Sequence, residues 1–113
     1  GYGNLVVDMR SLAVMAEGDT KVIFDITHST QLPASGGATS SGERRYAPLL
    51  ARSAAATGYL HGFFLEVHTN PNGALSDADV QLTPDQAELL LRQTLPVWKA
   101  ANGSASVDAK FFD

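Results

Sequence analysis

The sequence predicts an α/β fold built on a parallel sheet. Three observations carry that expectation. Two short apolar runs read as strands, helix-patterned segments flank them, and the order is helix, strand, helix, strand, helix. Strands alternating with helices are the mark of βαβ units. Near-continuous apolarity, in place of strict alternation, predicts strands covered on both faces. Two strands make a thin sheet, and the chain opens on a helix with no strand before it. These 113 residues are therefore expected to be part of something larger.

Each element has its own signal. Asn4 is positioned to cap the first helix, with Asp8 in its opening turns and Leu5, Val6, Met9, Leu12 and Ala13 as apolar positions. The first strand is expected from Lys21 to His28, rich in β-branched and aromatic residues. A second helix is expected after Gly42, with Pro48 in its first turn, running through Leu49, Leu50, Ala51 and Ala54 to about Thr57 and stopping at Gly58. The second strand is Gly62 to His68. Thr83-Pro84-Asp85-Gln86 starts the third helix: Thr83 caps, Pro84 fits the first turn, and Gln86 completes a capping box. Pro96 is expected to kink or end that helix. Residues 1–100 form the structured unit, and residues 101–113, small and polar before Phe111-Phe112, are expected to be a poorly ordered, flexible tail.

Composition narrows the function classes. Hydrophobic residues make up 44% and charged residues 18%, too apolar for a disordered chain. A net charge of −4 and a pI near 5.2 point away from nucleic acid and anionic membranes as partners. No apolar run approaches the ~20 residues of a membrane span, and the first residues carry no secretory signal. Cysteine is absent, which excludes a disulfide framework and fits a cytoplasmic location. No Walker loop or dinucleotide fingerprint occurs, so no organic cofactor is expected.

Chemistry in such folds gathers where strands end and loops begin. His28 closes the first strand and leads into Ser29-Thr30-Gln31-Leu32-Pro33. Glu66 and His68 close the second on one face, by period-two alternation, and Asp77 follows one loop later. One imidazole and two carboxylates suit Zn²⁺, Fe²⁺ or Mn²⁺. Their spacing is no diagnostic metal motif. The other reading makes His28 and Glu66 hydrogen-bonded strand ends and Asp77 a turn or cap residue. The loop from Ala34 to Gly42, followed by Glu43-Arg44-Arg45, reads either as a flap over a phosphorylated substrate or as a mobile connection. His61 reads as a surface histidine with a satisfied ring.

Taken in order, these segments resemble the 3-deoxy-D-manno-octulosonate-8-phosphate synthases. Gly-Tyr-Gly followed by Asn-Leu-Val-Val-Asp-Met at 4–9 is similar to the start of that family's sixth barrel helix. Val22-Ile23-Phe24-Asp25, Thr27-His28-Ser29 and Gln31-Leu32-Pro33 resemble its seventh strand and the loop beyond. Phe64-Leu65-Glu66 with His68 resembles the eighth strand, and Ala74-Leu75-Ser76-Asp77 the following loop. The likeness runs essentially without gaps from Gly1 to about Pro84.

The resemblance implies the C-terminal part of a (β/α)₈ TIM barrel, usually a homotetramer. It also implies a reaction: carbon 3 of phosphoenolpyruvate attacks the aldehyde of arabinose 5-phosphate, water adds at carbon 2, and phosphate leaves. Metal-requiring members bind a divalent ion through a cysteine, a histidine, a glutamate and an aspartate. The last three correspond here to His28, Glu66 and Asp77, which the resemblance makes the catalytic metal site, with His68 as a supporting partner. The cysteine belongs to the first barrel strand, outside this chain. Metal-free members often carry Cys-Asp where this chain has Ser76-Asp77, so Ser76 points to the metal-dependent group. Substrate contacts fall on Gln31, Ser40 and Arg44.

The chain departs from the family pattern at Ser41, which replaces a glycine, at Thr69 in place of a proline, and at Ala78-Asp79 in place of Gly-Pro. Two alternatives stand beside this reading. One is a sibling phosphoenolpyruvate-condensing synthase acting on another aldose, such as erythrose 4-phosphate or an N-acetylated hexose. The other is an inert truncated homologue acting as an interaction piece. The segment alone is expected to be inactive.

Overall fold

The computed structural model describes residues 4–33 and 41–112, and its centre is a pair of parallel strands. Strand β1 (Ile23–Asp25) lies beside β4 (Gly62–Phe64) with Ile23 opposite Gly62, Phe24 opposite Phe63 and Asp25 opposite Phe64. The ladder extends one bond past the strands, from the Ile26 amide to the Phe64 carbonyl at 2.9 Å. Between them lie β2 (Gln31–Leu32) and β3 (Ser41–Gly42), an antiparallel pair, and helix α2 (Ala47–Ala56). Helix α1 (Arg10–Met15) precedes β1, while α3 (Pro84–Ala101) and α4 (Ser104–Lys110) follow β4.

The helices cover one face of the sheet. Val22, Phe24 and Ile26 alternate inward and join Leu12, Leu60, Leu82 and Leu90 in the core. Helix α2 meets this core and α3 through Ala47, Ala51, Ala54 and Ala55, all at most 1% exposed. Their spacing puts four methyl side chains on one stripe, letting the helix backbone approach closely. Ile23, on the opposite face of β1, remains 58% exposed, and Phe64 and Val67 are 45% and 43% exposed. The expectation of cover on both faces is therefore met on one face only within this chain.

Boundaries differ from the sequence expectation for local reasons. The first helix begins at Arg10, not near Asn4, because Asp8 accepts from the Arg10 amide at 3.0 Å and pairs with its guanidinium at 2.7 Å. Strand β1 stops at Asp25, whose carboxylate accepts from the His28 amide and turns the chain into a 3₁₀ turn. Beyond Phe64 the second run continues only as an isolated bridge between Val67 and Leu82. Helix α3 starts at the full Thr83–Gln86 capping box but runs through Pro96 to Ala101. Pro96 and Arg92, whose carbonyl loses its usual donor, are both exposed, while Leu90, Thr94, Val97 and Trp98 hold the helix down on either side. The tail, expected to lack order, carries α4, whose Asp108 accepts from the Tyr59 hydroxyl at 3.1 Å. Gly58 ends α2 at φ +80°, and a side chain there would strike Ser104.

Thr94 is fully buried in α3, and its hydroxyl has no hydrogen-bond partner among the described residues. An unsatisfied buried hydroxyl costs about 1–3 kcal/mol. Thr94→Val, nearly isosteric, should therefore stabilise the protein by about 1 kcal/mol in urea unfolding. A loss of stability would mean that the hydroxyl has a partner.

Candidate metal centre

Three side chains converge beyond the C-terminal ends of β1 and β4. His28 comes from the turn after β1, Glu66 from the extension of β4, and Asp77 from the loop before α3. One donor atom from each lies within 4.8 Å of the others. His28 Nε2 is 3.2 Å from Asp77 Oδ2 and 3.7 Å from Glu66 Oε1. Donors about 2.1 Å from a tetrahedral ion sit roughly 3.4 Å from one another, so this spacing fits a single divalent cation.

Neighbouring groups fix each of the three. His28 Nδ1 faces Asp25 Oδ2 at 2.8 Å, and the ring lies against Phe64 with centroids 6.0 Å apart. That is the carboxylate–imidazole arrangement that orients histidines at metal centres, leaving Nε2 for the ion. The Glu66 amide donates to the buried Thr27 hydroxyl at 2.7 Å, and the Glu66 carbonyl accepts from Leu82 at 3.2 Å. Asp77 has a left-handed backbone, φ +52°, unusual for a residue with a side chain. Its carbonyl accepts from the amides of both Val80 and Gln81, and Gln31 Nε2 donates to its Oδ1 at 2.6 Å.

The electrostatics suit a cation. Both imidazole nitrogens of His28 face carboxylate oxygens, a pattern satisfied only when both carry protons. Asp25 accordingly raises the His28 pKa above its ordinary value; burial opposes this, and Asp77 reinforces it. The Nε2 proton thus holds the place that a metal ion would take, and an ion would bind by displacing it.

Of the residues singled out from sequence, the structure brings His28, Glu66, Asp77 and Gln31 together. Arg44 arrives behind the Asp77 loop, where Nη1 donates to the carbonyls of Ala78 and Gln81 at 3.3 and 3.1 Å. His68 does not support the cluster: its Nδ1 accepts from the Asn70 amide at 2.9 Å. The supporting position is taken by Asp25. His61 is exposed at the far end of the strand, where Nδ1 accepts from the Val22 amide at 3.0 Å. Ser40, with most of the Ala34–Gly42 loop, lies outside the described residues. Sequence reading missed Asp25 and Thr27. The available signal was a strand-end aspartate three residues before a histidine, a spacing that lets one carboxylate reach both the amide and the ring.

A parallel α/β unit with one imidazole and two carboxylates at its strand ends is a metal-competent module. A family model, described as the DAHP synthetase I family, matches residues 1–100, and the chain belongs to that family. Curated relatives named 2-dehydro-3-deoxyphosphooctonate aldolase match closely. The protein from Desulfatibacillum aliphaticivorans is 49% identical over 102 residues, 90% of this chain and 37% of its own length. That from Helicobacter pylori (strain HPAG1) is 52% identical over 97 residues, 86% and 34%. That from Bordetella pertussis (strain Tohama I) is 44% identical over 111 residues, 98% and 39%. The chain thus spans between a third and two-fifths of the relatives it matches. No helix among the described residues is long and apolar enough to cross a membrane.

In metal-free protein, the His28 imidazole should titrate above the ordinary value of about 6.5. Asp25→Asn should lower it, because the strongest stabiliser of the protonated form is gone. Histidine-resolved NMR titration measures both. An unmoved midpoint in Asp25→Asn would contradict the pairing.

Proposed function

We propose that the polypeptide carrying this chain condenses phosphoenolpyruvate with arabinose 5-phosphate and water. The products are 3-deoxy-D-manno-octulosonate 8-phosphate, a precursor sugar of lipopolysaccharide, and inorganic phosphate. The observation that carries the reading is the convergence of His28 Nε2, Glu66 and Asp77 within 4.8 Å beyond two parallel strands. It is supported by identities of 44–52% to relatives named for that octulosonate product. In this reading β1 and β4 are the last two strands of a (β/α)₈ barrel. The apolar face left open by Ile23, Phe64 and Val67 is where the remaining strands and their side chains pack. The enzyme works in the cytoplasm as a homotetramer.

His28 through Nε2, Glu66 and Asp77 would hold the divalent ion, with the fourth donor supplied from outside this chain. Once bound, such an ion polarises and orients the aldehyde oxygen as a Lewis acid. Asp25 keeps the His28 ring turned toward the site by accepting the Nδ1 proton. Thr27 holds the Glu66 backbone against the end of β1. Ser40 and Arg44 are the proposed contacts for substrate phosphate, as guanidinium and hydroxyl groups favour such oxygens. Carbon 3 of the enol then bonds to the aldehyde carbon, whose oxygen takes a proton. Water oxygen adds at carbon 2, the bond from carbon 2 to the phosphate oxygen breaks to leave a ketone, and the two water protons balance the new hydroxyl and the departing phosphate.

The test is phosphate release by the full-length enzyme with each candidate aldose, before and after chelation. Arabinose 5-phosphate should be preferred, and chelation should stop turnover until metal returns. Preference for erythrose 4-phosphate would move the enzyme to a sibling activity within the same family. His28→Ala and Glu66→Ala should each lose bound metal. Lewis-acid stabilisation of several kcal/mol corresponds to a rate loss of roughly a hundredfold or more. Normal turnover by either variant in chelator would overturn the metal assignment.

A further inference from the structure

We infer that Gln31 is a positioning residue that divides the Asp77 carboxylate, holding Oδ1 and leaving Oδ2 as the oxygen offered to a bound ion. The inference rests on the metal-site reading given above and revises the sequence expectation that Gln31 contacts substrate.

Asp77 uses its two oxygens differently. Oδ2 faces His28 Nε2 at 3.2 Å, while Oδ1 accepts from the Gln31 amide at 2.6 Å. The side-chain amide must present its N–H₂ here, since its carbonyl would oppose a carboxylate oxygen. The bond is short because the acceptor is charged. It spans 46 residues of sequence and links β2 to the loop that carries Asp77.

The surroundings make Gln31 a rigid donor. It lies in β2, paired with Gly42 of β3, and the next amide, Glu43, donates to the Thr30 carbonyl at 2.8 Å. From the 3₁₀ turn that follows β3, Arg44 donates to the carbonyls of Ala78 and Gln81. Gln31 and Arg44 therefore grip the Asp77 loop from β2 and from the turn after β3, one at its side chain and one at its backbone. Gln81 closes the loop from within, donating to the Ser76 carbonyl at 3.0 Å. Gly42 is required for the fit, since any side chain there would overlap Val80. Asp77 in a left-handed conformation has lost some intrinsic stability; a free loop would relax, and these bonds oppose that.

A carboxylate with one oxygen engaged offers the ion a single donor. Released, the same carboxylate is free to rotate and to chelate through both oxygens or to turn away. Gln31 should thus govern how firmly Asp77 holds the ion, with little direct bearing on substrate affinity.

The experiment uses the full-length enzyme and two variants lacking the donor, Gln31→Met and Gln31→Leu, with Asp77→Asn and His28→Ala as references. Zn²⁺ and Co²⁺ dissociation constants are measured by competition with a chromophoric chelator, and the Co²⁺ absorption spectrum is recorded. Thermal melts of the metal-free proteins select the variants that fold. Loss of a supporting bond at a metal site typically weakens affinity 10–100-fold. A folded Gln31 variant should bind both ions at least about tenfold more weakly, with a shifted Co²⁺ spectrum and KM values for both substrates within about twofold. Unchanged metal affinity and spectrum would overturn the proposal, as would a tenfold rise in KM with metal binding intact. If Asp77→Asn and His28→Ala also bind metal normally, the metal-site reading itself fails. If those two lose the metal while the Gln31 variants keep it, only the role of Gln31 fails.

Discussion

The hydrogen bond from the Glu66 amide to the Thr27 hydroxyl is the interaction on which the site's geometry depends. Regular pairing between β1 and β4 ends at Asp25 and Phe64, with one further bond from Ile26. Past that point both chains leave the sheet. The Thr27 side chain then acts in place of a backbone partner, in a position 2% exposed where an unpaired amide would be costly. Because it ties the two diverging segments together, Glu66 and His28 leave the sheet side by side. A third segment joins through the Val67–Leu82 bridge, which brings the chain back from the Asp77 loop alongside β4. The three metal-competent residues thus belong to three segments stitched by consecutive bonds.

That construction explains why carboxylates outnumber cations at the cluster without driving it apart. His28 stands among Asp25, Glu66 and Asp77, and in the absence of metal its own charge offsets part of theirs. Carboxylates at such distances favour the charged form of the His28 imidazole. The arrangement is therefore already organised for a cation, with Asp25 turned to the far side of the ring and the other two carboxylates to the near side. An incoming ion replaces a proton and meets donors whose directions are set by neighbours. This is the economy of a preorganised site: little rearrangement accompanies binding.

Much of this was legible in the sequence. The alternation of apolar runs and helix patterns foretold the parallel α/β arrangement, and Thr83 with Gln86 foretold the start of α3. Strand-end placement, reinforced by family resemblance, singled out His28, Glu66 and Asp77. What escaped was the part that depends on contacts between distant segments. Asp25 read as one polar residue within an apolar run, and its partnership with His28 depends on the turn that the carboxylate itself helps make. Thr27 looked like an ordinary β-branched strand residue, although its hydroxyl carries the cross-strand bond. His68 was expected from the resemblance as a supporting partner, but its ring folds back on Asn70. Pro96 was expected to kink or end α3, and the helix does not end there: packing on either side of it prevailed over the lost bond. The tail carries a helix where its small residues promised none, tied to the residues after α2 through Tyr59 and Asp108.

The measurement that bears most directly on the central claim is an anomalous-scattering map of the full-length enzyme crystallised with Co²⁺ or Mn²⁺. The account predicts a single strong peak about 2.0–2.3 Å from His28 Nε2 and from one carboxylate oxygen each of Glu66 and Asp77. A map at saturating metal with no peak among these three residues, or with the ion bound elsewhere in the protein, would contradict it.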